Sequence, residues 1–115
     1  MRNIKLNEHI TLSQGITSEE GMPVFELISK ELNEGNELTL DFEGVKFLTT
    51  AFLNSAIGTL YKDYTSEQLK ERLHLINYTP ETAVRIKKVT ENAKAFYDDQ
   101  DKFNQTVEEV LNGSM

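Results

Sequence analysis

Cysteine is absent from the 115 residues, which excludes disulfides, thiolate metal sites and a cysteine nucleophile. There is no tryptophan, and the two prolines, Pro23 and Pro80, both lie near expected helix starts. No apolar run approaches the roughly 20 residues that a membrane-spanning helix needs. The opening MRNIKLNEHI alternates apolar and polar residues and has no signal-peptide core. No internal repeat, low-complexity tract or linker interrupts the chain, so a single domain over residues 1–115 is expected, in the cytoplasm and without a membrane partner.

Motifs for chemistry are missing as well. There is no GxSxG elbow, Walker loop or GxGxxG, so hydrolase, nucleotidase and dinucleotide-enzyme readings have no support. His9 and His74 are the two histidines, and neither belongs to an HExxH or a close pair, so a zinc site is not expected. His74 reads as a structural strand residue. No enzymatic activity and no cofactor are expected.

Hydrophobic residues make up 38% and charged residues 27%, which suits a globular chain rather than a disordered one. The net charge of −7 is unevenly spread. Residues 1–43 hold nine acids against three bases, residues 44–95 five against eight, and residues 96–115 five against one. The overall acidity opposes binding to a phosphate backbone, so nucleic acid is not an expected partner. The basic centre could meet an acidic protein surface.

Periodicity supplies the elements. In IKLNEHITL, the residues Ile4, Leu6, Ile10 and Leu12 flank Asn7, Glu8 and His9 and predict a hairpin of two short strands. Thr17 and Glu20 have capping-box spacing before Val24, Phe25, Ile28 and Leu32, although Pro23 suggests that the regular helix begins there, with SEEGM as an irregular lead-in and Gly35 as its stop. ELTLDF predicts a strand with Leu38, Leu40 and Phe42 on one side, and GVKF continues the apolar signal after a turn at Glu43 and Gly44. Phe52, Leu53, Ala56, Ile57 and Leu60 form the stripe of a packed helix.

Thr65 and Gln68 offer a second capping box, for a short helix through Leu69, and RLHLINY predicts a strand. Thr79 and Pro80 then open a helix carrying Val84, Ile86, Val89, Ala93 and Phe96. Phe103, Val107, Val110 and Leu111 suggest a final helix, with NGSM fraying. This order implies an α/β sandwich with a mixed sheet of about four strands and helices mainly on one face.

Thr49 and Thr50 stand between strand and helix. A threonine there caps the first turn, a contribution of about 1 kcal/mol. A phosphate at the same place would lie near free N–H groups while adding negative charge to a docking surface. Asp41, at a strand end, is the best-placed acid in the chain. It reads as a turn or cap-binding carboxylate, or alternatively as part of the pocket of a small-molecule sensor or vestigial enzyme. Arg85, Lys87 and Lys88 lie outside the face of Ile86 and Val89 and read as a solvated basic run.

The stretch LDFEGVKFLTTAFLNSAIGTLY resembles the STAS-like proteins of unknown function, small domains related in appearance to the anti-sigma-factor antagonists. The resemblance is strongest over Leu38–Tyr61 and weaker, as an order of elements, over most of the chain. It implies a STAS-like fold and a non-catalytic, partner-switching interaction module. Its strand–turn–helix would dock a histidine-kinase-type ATPase, which phosphorylates a serine or threonine at the helix start. The Asp-Ser pair of the antagonists falls on Thr49 and Thr50, making Thr50 the implied acceptor, and Phe52 stands where they have glycine. Asp41, Phe52 and Asn54 are the expected partner-binding residues. A structural subunit whose apolar patch pairs with itself is the third reading.

Overall fold

The computed structural model describes residues 2–113, with side chains described for residues 2–97. The strands are β1 (Arg2–Lys5), β2 (Gln14–Gly15), β3 (Leu38–Asp41), β4 (Phe47–Leu48) and β5 (Leu73–Ile76). The helices are α1 (Ser18–Asn33), α2 (Thr50–Ala56), α3 (Ser66–Arg72) and α4 (Pro80–Gly113), with 3-10 turns at Leu6–His9 and Gly58–Lys62.

Both sheets are parallel. One has the order β1-β3-β5, and the other pairs β2 with β4. This corrects the expected mixed sheet of about four strands to two small parallel sheets of three and two. It also removes the expected hairpin: β1 pairs with β3, register Arg2 to Leu38, instead of folding back on the next segment. The reason lies in the core. The 3-10 turn buries Leu6 to 1% exposure, whereas Leu12, expected on a strand, is 83% exposed at the tip of a turn. Parallel neighbours need a crossover, which α1 supplies between β1 and β3.

α1 begins at Ser18 rather than near Pro23. The Thr17 hydroxyl accepts from the Glu20 N–H at 3.1 Å, and the Glu20 carboxylate accepts from the Thr17 N–H at 3.2 Å, so the box nucleates the first turn. Pro23 leaves the Glu19 carbonyl without its helical donor, but both residues are exposed and water can satisfy it. At the other end Gly35 takes a φ of 84°, and the N–H groups of Gly35 and Asn36 return to the carbonyls of Leu32 and Glu31 at 3.0 Å, the Schellman closure that favours glycine. The Arg72 guanidinium donates to the carbonyls of Leu32 and Asn36 and lies 6.0 Å from the Tyr64 ring centre, tying α3 to this helix end.

Val24, Ile28 and Leu32 of α1, Leu38 and Leu40 of β3, and Phe52 and Leu53 of α2 are all at 2% exposure or less and form one core. The second capping box is closed at Thr65 and Gln68, with contacts of 2.9 and 3.1 Å.

α4 is a single helix of 34 residues, about 50 Å long at ~1.5 Å per residue, where two helices were expected. Its inward face runs through Thr82, Val89 and Ala93, so Val84, one of the apolar residues named for this helix, is 69% exposed. The side chains of Phe103, Val107, Val110 and Leu111 lie outside the described residues, as do Ser114 and Met115 of the segment expected to fray.

Candidate functional site

The β4–α2 junction places the two threonines in different roles. Thr49 is the cap: its hydroxyl oxygen accepts from the Phe52 N–H at 3.1 Å, and its proton goes to the Ile16 carbonyl. Its own N–H donates to the Gly15 carbonyl at 2.9 Å. Thr49 therefore fixes α2 to the β2 strand and has no hydroxyl proton to spare. Thr50, the first helical residue, is exposed, and its hydroxyl has no hydrogen-bond partner among the described residues.

Phe52 has a different place from the one expected. It is 0% exposed and sits in the core between α1 and the sheet elements, so it is corrected from a partner-binding residue to a packing residue. A side chain enclosed on all sides has no surface to offer a partner.

Asp41 is likewise buried, at 7% exposure. Its register neighbours are Lys5 of β1 and Ile76 of β5, at the C-terminal end of the three-stranded sheet. One carboxylate oxygen accepts from the Asn77 side chain and from the Glu43 N–H, each at 2.9 Å. These two donors, with a smaller attraction from Lys5, hold the carboxyl below its ordinary value of 3.8 against the opposing effect of burial. Asn77 takes a φ of 59°, which asparagine tolerates, to make this bond. The carboxylate is thus occupied in joining the β3 and β5 ends, as a turn-binding group. His74 faces Glu37, with Nε2 2.6 Å from the carboxylate, as a structural strand residue.

Thr50 and Asn54 instead line a groove of about 520 Å³ between α2 and α4, with Ala51 between them. The α4 wall consists of Lys88, Val89, Asn92, Ala93, Phe96 and Tyr97. Neither Thr49, Asp41 nor Phe52 lines it. The structure thus brings together two of the five residues singled out from sequence, Thr50 and Asn54, and adds a wall that sequence reasoning assigned elsewhere. Phe96, named with Val89 and Ala93 among the apolar residues of this helix, continues their stripe, yet it is 56% exposed. α2 has seven residues, so the apolar stripe on the much longer α4 outruns it, which no sequence signal showed.

The family model described as a STAS-like domain of unknown function matches residues 20–83, from the first turn of α1 to the first turn of α4. No curated protein matches the chain, and no solved structure does. The matched span includes Thr50 and Asn54 but stops before the α4 wall of the groove. No helix among the described residues is long and apolar enough to cross a membrane.

Proposed function

The chain belongs to the family of STAS-like domains of unknown function, and from that premise we propose that it is a non-catalytic, cytoplasmic protein-interaction module that switches partners at the start of α2. The partner in this reading is a histidine-kinase-type ATPase, and Thr50 is the hydroxyl it modifies. The observation that carries the reading is the division of labour between neighbours: Thr49 commits its hydroxyl to the cap and to Ile16, while Thr50 lies exposed on the rim of a groove with its own hydroxyl free among the described residues.

A phosphate on Thr50 would add nearly two negative charges to the groove rim, enough to reverse the electrostatics of a docked surface. The same change on Thr49 would remove the proton that Ile16 accepts and loosen the fold. One site can switch binding, whereas the other can only damage it.

The test is affinity capture from native-host lysate with ATP present, read by quantitative mass spectrometry, using wild type, Thr50→Val and Thr50→Glu as baits. An ATPase recovered by the first two and reduced at least tenfold with Thr50→Glu supports the switch. Equal recovery by all three, or no ATPase with any, removes it.

A further inference from the structure

The groove between α2 and α4 differs in charge from the molecule around it. The chain carries 19 acids against 12 bases, yet among the described residues none that lines this groove is acidic, and Lys88 is the one charged group there. Lys88 is exposed and has no ion-pair partner among the described residues. Arg85, one turn earlier, is by contrast held by Glu81 at 3.0 Å and lies 5.1 Å from the Phe47 ring centre.

The shape narrows the occupant further. Ala51 and the largely buried Val89 and Ala93 form a floor of small and apolar side chains, and Phe96, edge-on to Tyr97 at 4.9 Å, adds an exposed ring to the lining. Both walls are helices rather than strand edges, so an extended peptide would find no strand to join. Ridges of side chains from a third helix can enter between small residues on two others.

We propose that the groove receives an amphipathic helical segment of a protein partner, its apolar face seated on Ala51, Val89, Ala93 and Phe96 and a flanking carboxylate paired with Lys88. This deepens the docking role proposed above and rests on it for the assumption that the groove is a protein site. It does not depend on phosphorylation of Thr50.

The probe is a displayed library of helical peptides with an apolar stripe and randomised flanking positions, selected against the purified full chain and, in parallel, against Lys88→Glu. Selection should enrich flanking Asp and Glu on wild type and flanking Lys and Arg on Lys88→Glu. The wild-type binders should weaken at least tenfold on Phe96→Ala, an exposed change that leaves the core intact. No enriched binder, binders without acidic bias, or the same acidic bias on Lys88→Glu would each overturn the proposal. So would sedimentation showing a dimer that Phe96→Asp dissociates, because a second copy would then be the occupant.

Failure here is separable from failure of the switch. Acidic helices that bind wild type and Thr50→Glu equally would retain this inference and remove the regulated hydroxyl. An ATPase captured equally by wild type and Lys88→Glu, without acidic enrichment in the selection, would do the reverse.

Discussion

The hydroxyl of Thr49 donates to the carbonyl of Ile16, 33 positions earlier in the chain, while accepting from the Phe52 N–H. One side chain thereby closes both a helix start and a tertiary contact between β2 and α2. Replacing it leaves two backbone groups without partners. Thr49→Val should destabilise the protein by about 1–3 kcal/mol in urea unfolding, Thr49→Ser should recover most of this, and Thr50→Val should stay within about 0.5 kcal/mol of wild type. An equal loss at both positions would contradict the division of roles.

Gly21 of α1 lies where the helix crosses α2. A Cβ there would stand 2.6 Å from the Phe52 carbonyl oxygen and 2.9 Å from the Ser55 Cβ, so Gly21→Ala should cost about 1–3 kcal/mol despite alanine's better helix propensity. Ser55 carries a buried hydroxyl with no partner among the described residues. Ser55→Ala should therefore raise the thermal midpoint, with a gain of up to about 1 kcal/mol. A midpoint lowered by Ser55→Ala would mean that the hydroxyl is bonded.

Leu12 and Ser13 occupy the centre of a tight turn with φ of 54° and 58°, closed by the Gln14 N–H on the Thr11 carbonyl at 3.1 Å. Two successive left-handed residues favour asparagine and glycine, and neither native residue suits the geometry. The turn is nonetheless pinned, since the Ser13 carbonyl accepts from the Lys46 N–H at 2.8 Å. Leu12→Asn combined with Ser13→Gly should stabilise the protein by about 1–2 kcal/mol, measured by chemical unfolding. A loss of stability would show that the exposed Leu12 side chain contributes packing.

Asp41 has a carboxyl held low by Asn77, Glu43 and Lys5, so its linkage to folding has a definite sign. Its stabilising effect is fully present above the unfolded value near 3.8 and is lost as pH falls through the lower folded value. Asp41→Asn should be less stable than wild type at pH 7, and the difference should narrow below about pH 4. Thermal melts from pH 7 to pH 2 would show it, and a constant gap would mean that the charge makes no contribution.

Much of this protein was determined by its sequence alone, because the relevant interactions span three or four residues. The capping boxes at Thr17 and Thr65, the Thr79-Pro80 helix start and the stop at Gly35 are all contacts within a turn, written directly in residue order. The core face of α2 followed from its periodicity, and the family from the residues around it.

Only the tertiary structure decided the rest. Alternating residues in β1 cannot say whether the next segment or β3 will pair with them, and burial of Leu6 in its 3-10 turn settles it. A stripe on α4 cannot say how much of it α2 will cover, which is why Phe96 is at a groove rather than in the core. Capping chemistry could not tell which of two adjacent threonines stays exposed. That depended on Ile16, far away in sequence, coming within reach of Thr49 and leaving Thr50 at the surface.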